Sequence, residues 1–147
     1  MADIKKIKAR VRTADVPNAG THGWVYLGIA GREFLLNAAD TSAGLERGDN
    51  WTFVLGEESN VENPSRNDPR RPQLDTDDLD RYPTYLRLEP DGHRPAWCLE
   101  RVWVTVNPES DFPHTFDNPR LADFGEHRRL WLAQECGKHL FLKRYTP

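Results

Sequence analysis

Apolar and polar residues alternate in short runs along most of this chain. In the run WVYLGI, residues 24–29, the valine, leucine and isoleucine occupy every second position. A period of two residues is typical of a β-strand that buries one face. The alternation predicts strands over 3–13, 24–29, 33–37, 51–56, 84–89 and 96–106, and a closing hairpin formed by 128–135 and 138–145.

Helical periodicity is scarce. Asn118 followed by Pro119 suits a helix start, but Gly125 soon interrupts the pattern. At most one short helix is therefore predicted, over 119–124. Many short strands separated by turns rich in Gly, Pro, Asn and Asp predict an all-β protein, with an antiparallel β-sandwich as the leading architecture.

Two long polar segments interrupt the series of strands. Residues 59–83 contain four of the eleven prolines in the chain, and residues 107–127 are similar but richer in aromatic side chains. Both are too long for hairpin loops, and loops of this length are usually functional or disordered. We treat them as insertions in the sandwich, and the first is either mobile or a strap laid across a sheet.

Composition narrows the classes of function. A chain of 147 residues has the usual size of one domain, here 1–147. Its formal net charge of -3 argues against a nucleic-acid partner, which needs clustered positive charge. No signal-peptide pattern or membrane-length apolar run is present, so a soluble, cytoplasmic protein with reduced thiols at Cys98 and Cys136 is the default expectation.

Four sequence blocks resemble the PLAT/LH2 domains of lipoxygenases, polycystin-type proteins and a clostridial alpha-toxin. The blocks are AGTHGWVYLGIAG at 19–31, LERGDNWTFVL at 45–55, LRLEPDGHRPAWCLERVWV at 86–104, and the weaker RRLWLAQECGKHLFLKR at 128–144. They occur in the order found in the family and cover most of the chain outside the two insertions. The resemblance implies an eight-stranded antiparallel β-sandwich of the PLAT/LH2 type.

The resemblance also implies a calcium site in loops at one end of the sandwich. In the family a Gly-Thr-Asp corner contributes to it, but the aspartate position is His22 here, and imidazole is a poor ligand for a hard cation. The remaining candidates are the Gly20 carbonyl and the carboxylates of Asp40, Glu46 and Asp91. Turn formation at Asp40 and Asp91, or ion pairing at Glu46, also explains these carboxylates without calcium. We expect no required cofactor, with calcium as the alternative, and the histidines lack zinc-ligand spacing.

Two arginines are predicted to have structural roles. Arg47 in the ERG motif and Arg101 in the LERV motif suit pairing with carboxylates that fasten loops to strands, Glu46 among them. We expect the loss of either arginine to reduce stability before it reduces binding.

Three aromatic residues are candidates for partner binding. Trp24, Tyr26 and Trp103 fall on the outward parity of their strands. An exposed cluster of this kind would mark a lipid or protein contact. The alternative, which the sequence favours, is that the two insertions fold over this face and bury it. Trp97, by contrast, is predicted to be a core residue.

No catalytic motif is visible in the chain. The sequence therefore predicts a non-enzymatic binding module that mediates protein-protein contact within a larger assembly. The alternative is a peripheral module that binds membrane lipid, with or without calcium; the acidic net charge argues against it because anionic headgroups repel such a surface.

Overall fold

Antiparallel strands account for almost all of the regular structure. The computed structural model describes residues 2–39, 45–91, 96–121 and 129–145. The strands of this part of the chain are β1 (Lys6–Thr13), β2 (Trp24–Ile29), β3 (Arg32–Leu35), β4 (Asn50–Gly56), β5 (Thr84–Glu89), β6 (Trp97–Val106), β7 (His114–Asp117), β8 (Leu130–Leu132) and β9 (His139–Tyr145). A one-turn helix, α1 (Asp78–Arg81), and a 3-10 turn, Pro119–Leu121, complete the elements.

The strands form one sheet that curls into two layers. Their order is β3-β2-β5-β9-β7-β6-β1-β4, and β8 pairs with the first residues of β6. Strand β9 belongs to both layers, because its residues 139–142 pair with β5 and its residues 143–145 pair with β7. We call β3-β2-β5 with the start of β9 the first sheet, and the remaining strands the second sheet. The expected all-β antiparallel sandwich is confirmed, and the described residues form nine strands where eight were expected.

Alternate side chains of both sheets fill a single core. Leu27 of β2 and Leu86 of β5 meet Ile7 of β1 and Val104 of β6 in one buried cluster. Burying such side chains is the main favourable term in folding. Trp97 is fully buried in this cluster, which confirms its predicted core position.

The predicted hairpin of 128–135 and 138–145 is wrong. Strand β8 pairs with β6, whereas β9 pairs with β5 and β7. The two strands therefore do not pair with each other. The intervening turn is closed by the Ala133 amide, which donates to the Gly137 carbonyl at 3.1 Å, while the Leu88 amide donates to the Lys138 carbonyl at 2.8 Å. The CGK turn therefore carries the chain from one layer to the other instead of reversing it within a layer.

The insertion 59–83 is an ordered strap along the open side of the sandwich. The Asn60 carboxamide accepts from the Val54 amide and donates to the Thr52 carbonyl of β4, both at 2.8 Å. At the other edge, the Leu35 amide donates to the side chain of Asn67 at 2.8 Å. The strap thus satisfies backbone groups of both edge strands, β4 and β3, which would otherwise be open to pairing with another chain.

The structure corrects three further expectations about the insertions. The strap bonds to the edge strands β3 and β4, and Trp24 on the outward face of β2 stays 45% exposed. It also contains helix α1, where no helix was predicted. The second insertion, 107–127, contains strand β7, and the helix expected over 119–124 is a 3-10 turn at its start, with residues 122–128 outside the described part of the chain. Across the described residues, no helix has the length and hydrophobicity needed to cross a membrane.

Candidate binding surfaces

The Gly-Thr-His corner packs directly against the loop that carries Glu46. A side-chain carbon at Gly20 would lie 3.0 Å from both the Glu46 Cα and the Leu45 carbonyl oxygen, so only glycine fits without displacement. The Thr21 amide donates to that same Leu45 carbonyl at 3.1 Å. The structure therefore brings Gly20 and Glu46 together, as the resemblance implied.

His22 occupies the place of the family aspartate beside Glu46. Its Nε2 lies 3.8 Å from the Glu46 Oε1, and about half of each side chain is exposed. An imidazole at this distance can pair with the carboxylate when it is protonated, but it offers no oxygen to a hard cation. The corner therefore carries one carboxylate where the family pattern would place two.

The other two candidate ligands are placed less directly. Asp91 follows Glu89, whose strand pairs with Trp24 at the same end of the sandwich. Asp40 lies outside the described residues. Within the described ranges, no group of three His, Cys, Asp or Glu side chains could hold a metal ion. The calcium ligand set of Gly20, Asp40, Glu46 and Asp91 therefore stays a prediction.

The two arginines fasten loops, and one of them does so through a carboxylate. The Arg47 Nε pairs with the Asp15 carboxylate at 2.8 Å on the surface, and it joins the 45–49 loop to the end of β1. Arg101 donates from Nη1 to the Leu121 carbonyl at 2.9 Å, which holds the 3-10 turn against β6. Arg47 thus pairs with a carboxylate as predicted, whereas Arg101 binds a backbone carbonyl in place of the expected carboxylate.

The outer face of the first sheet carries a group of aromatic side chains. Register places Gly28, Tyr85 and Phe141 in one row across β2, β5 and β9, and Tyr26 and Arg87 in the next row. We call this surface the aromatic face and define it by its five outward residues: Trp24, Tyr26, Tyr85, Arg87 and Phe141. A side chain at Gly28 would overlap the Tyr85 ring, so the glycine makes room for it.

Hydrogen bonds fix the middle of the aromatic face. The Arg87 guanidinium lies 4.3 Å from the Tyr26 ring centroid and donates to Glu33 and Glu89. The Tyr85 hydroxyl also donates to Glu33, at 2.7 Å. Donation from Arg87 holds the pKa of Glu33 below its ordinary value, while burial and the bond to Glu33 raise the pKa of Tyr85. These side chains are thus held in one arrangement before any partner binds.

The two ends of the aromatic face reach into solvent. Trp24 is 45% exposed and Phe141 is 63% exposed. Sequence reasoning identified Trp24 and Tyr26 from their parity but missed Tyr85 and Phe141. The signal was present, because both residues fall on the outward parity of their own alternating runs.

Trp103 does not belong to this surface. It lies on β6 in the second sheet, where its register partners are Arg10 of β1 and Asp117 of β7. The three candidates therefore do not share one surface: outward parity is common to all three, but the outward faces of the two sheets point in opposite directions.

Solved structures show what this fold resembles. No protein-family model matches the sequence, and no curated protein sequence matches it. The alpha toxin from Clostridium absonum superposes with a TM-score of 0.59 at 20% identity, covering 96% of this chain and 32% of the toxin. A lipoxygenase variant in complex with arachidonate, delta413-417:GS LOX, superposes with a TM-score of 0.57 at 17% identity, covering 95% of this chain and 16% of the enzyme.

The match covers one domain-sized part of much longer proteins, and at this level of identity it establishes the fold alone. Almost all of the present chain takes part in both superpositions. The chain therefore has the β-sandwich fold of the PLAT/LH2 type.

Proposed function

We propose that this chain is a non-enzymatic binding module of the PLAT/LH2 family that mediates protein-protein contact through its aromatic face. The observation that carries the proposal is an open sheet face whose Trp, Tyr, Phe and Arg side chains are exposed at its ends and hydrogen-bonded at its centre. These residue types dominate the binding energy of protein interfaces, whereas Lys and Glu are depleted there.

Pre-organisation strengthens this interpretation. Ordering a side chain at an interface costs free energy, and a side chain that is already held avoids most of that cost. Arg87 and Tyr85 are fixed by Glu33, and Tyr26 is covered by the Arg87 guanidinium. Trp24 and Phe141 then supply apolar area at either end.

The domain organisation of the matched structures supports the proposal of a binding module. In the arachidonate-bound lipoxygenase variant and in the alpha toxin, the matched fold is a minor part of the chain, at 16% and 32% of its length. A sandwich that recurs as one part of larger proteins suits a role in holding other parts or partners together.

Lipid binding is the second candidate function, and one observation supports it. Trp24 begins β2 directly beside the corner of His22 and Glu46, so a half-exposed indole stands at the end of the sandwich where calcium-binding loops are expected. Indole side chains favour the headgroup region of membranes. The formal net charge of -3 opposes anionic lipid unless calcium bridges the two.

A photo-crosslinking experiment tests the proposed function. We would place p-benzoylphenylalanine at Phe141 and, as a matched control, at Phe112, which is 83% exposed on a loop away from the aromatic face. The proposal predicts a discrete crosslinked protein in native extract from position 141, lost in a Trp24→Ser background, and none from position 112.

Liposome co-sedimentation distinguishes the second candidate function, lipid binding, from protein binding. The protein is mixed with phosphatidylserine vesicles in calcium or in chelator. Pelleting that depends on Trp24, together with no specific crosslink from position 141, would contradict the protein-binding proposal and support the lipid-binding module.

A further inference from the structure

The outer face of the second sheet is positively charged, in contrast to the chain as a whole. Register places five cationic side chains on it, and we call this surface the basic face: Lys8, Arg10 and Arg12 of β1, Arg101 of β6, and Lys143 of β9. Strand β4 adds only the uncharged Asn50, Thr52 and Val54. Glu100 and Asp117 are the carboxylates that β6 and β7 contribute.

Most of this positive charge is not neutralised within the described residues. Glu100 pairs with Arg12 at 2.9 Å. In the described part of the chain, no carboxylate lies within ion-pair distance of Lys8, Arg10 or Lys143. Asp117 is largely buried, so it offers little to solvent. The basic face therefore carries a local positive excess on a protein of net charge -3.

Two arginines of the basic face, Arg10 and Arg101, are held in place by Trp103. The guanidinium carbons of Arg101 and Arg10 lie 4.4 and 5.1 Å from its ring centroid. The Arg10 Nε also donates to the Asn50 side chain at 3.1 Å. Stacking and hydrogen bonding leave the charges oriented across the sheet instead of extended into water. A shallow groove of about 380 Å³ runs beside them, with Thr52, Thr105 and Thr115 among its lining residues.

We propose that the basic face binds an extended acidic segment of a partner protein. Lys8, Arg10 and Arg12 are alternate residues of one strand, so their outward side chains repeat roughly every 6.6 Å. Carboxylates on every second residue of an extended chain have the same repeat. Because β1 is paired on both sides, the segment binds through side chains across the sheet and not by adding a strand.

Other anionic occupants fit less well. A bilayer requires apolar side chains that protrude into it together, whereas Trp103 is covered by cations. The two aromatic side chains of this sheet that are exposed in the described residues, Tyr145 of β9 and Trp131 of β8, lie apart from each other, opposite Thr115 and Cys98. Binding of single-stranded nucleic acid requires open aromatic platforms for the bases, and the Trp103 ring is already stacked with guanidinium groups. This surface lies on the opposite sheet from the aromatic face, so one module could join two partners.

Fluorescence anisotropy with a labelled peptide tests the proposal. The probe is a short peptide of alternating Glu and Ser, and its comparison has the same composition with the Glu and Ser residues in two separate blocks. The double variant Lys8→Ser/Arg10→Ser removes two charges from the basic face. The control Lys5→Ser/Arg66→Ser removes two charges from exposed positions elsewhere.

The alternating peptide should bind the unmodified protein more tightly than the block peptide. We expect its Kd to rise about tenfold in Lys8→Ser/Arg10→Ser and to stay within about twofold in the control, because complementary charges act over short range. Phe141→Ser should leave this binding unchanged, which separates the basic face from the aromatic face. Thermal unfolding of each variant checks that it folds.

Several results would overturn the proposal. Equal binding of the two peptides, equal loss in the two double variants, or no peptide binding at low ionic strength would each do so. Binding of oligothymidylate or phosphatidylserine vesicles that depends on Lys8 and Arg10, without peptide binding, would assign the face to a nucleic acid or a bilayer instead.

Discussion

Arg87 on β5 holds Glu33 on β3 through two parallel hydrogen bonds that span the intervening strand β2. The Nε donates to Oε2 at 2.9 Å and Nη2 donates to Oε1 at 3.0 Å. Paired guanidinium–carboxylate bonds of this kind are stronger than bonds between neutral groups. These bonds link the edge strand β3 to β5 in the first sheet, and they fix the hydrogen-bonded side chains in the middle of the aromatic face.

The Glu33–Arg87 pair predicts a pH-dependent contribution to stability. The pKa of Glu33 lies below its ordinary value of 4.5, first because Arg87 donates to the carboxylate. A carboxyl whose pKa is lower in the folded state stabilises the fold above its ordinary pKa, and this contribution is lost as the pH falls through the folded value. Glu33→Gln should therefore cost about 1 kcal/mol at neutral pH, and less in acid.

Urea unfolding of Glu33→Gln and the unmodified protein, at neutral pH and at several values below 4.5, measures this difference. The gap in the free energy of unfolding should narrow as the pH falls. A gap that stays constant or widens in acid would show that the carboxylate charge does not stabilise the fold.

A methyl group at Gly28 should destabilise the first sheet. The Tyr85 ring lies where the added carbon of Gly28→Ala would be, so the ring must move and lose its bond to Glu33. Overpacking of this kind costs roughly 1–3 kcal/mol. Chemical denaturation should show that loss, whereas Gly137→Ala, with 3.9 Å to its nearest neighbour, should change stability by less than about 0.5 kcal/mol. Equal stability of the two variants would contradict the packing argument.

Much of the sandwich can be predicted from alternation alone. Val25 and Leu27 share a parity, and both are buried in the core. The AGRE turn between β2 and β3 can also be predicted from Gly31, which takes the positive φ of 85° that a tight hairpin requires; Ala30, with a φ of 53°, gives no such signal because alanine rarely adopts a positive φ. By contrast, β7 is only four residues long and buries Phe116 and Asp117, which is too little pattern to detect.

Sheet membership is not encoded in parity. Tyr26 and Trp103 both point outward, yet only the strand order shows that they lie on opposite layers. The sequence does not show that β9 pairs in both sheets for the same reason. Its apolar and polar residues alternate with a period of two along the whole strand, whichever sheet it pairs in. The strap is hidden because Asn60 and Asn67 bond to backbone groups far along the chain, and composition alone cannot distinguish such contacts from a solvated loop.

A buried hydrogen bond at the core predicts strong coupling between two positions. The Trp97 Nε1 donates to the Thr13 hydroxyl at 2.8 Å, and both residues are almost fully buried. Thr13→Val leaves the indole N–H without its acceptor and should cost about 1–3 kcal/mol. Trp97→Phe removes the donor, so the double variant should lose less stability than the sum of the two single variants.

A double-mutant cycle by urea denaturation measures the Thr13–Trp97 coupling. Thr52→Val is the matched control, because Thr52 lies on the outward face of β4 and its substitution should cost less than about 0.5 kcal/mol. Strict additivity of the Thr13 and Trp97 substitutions would mean that this hydrogen bond contributes nothing to stability.

The corner at His22 predicts how the protein responds to calcium. A histidine next to Glu46 removes one oxygen ligand and one negative charge from the site that the resemblance implies. We therefore expect calorimetry to detect calcium binding weakly or not at all in the unmodified protein. His22→Asp should raise the calcium affinity about tenfold or more, because affinity in such loops follows the number of charged ligands.

The same measurement on His139→Asp separates a restored site from a general effect of charge. His139 is exposed on β9 beside Tyr85, in the first sheet, so an aspartate there adds the same charge without entering the corner. If the two variants bind calcium equally, the corner is not the site. Micromolar calcium binding by the unmodified protein would instead mean that oxygen ligands suffice without the family aspartate, and His22 would then no longer count against a calcium-assisted function.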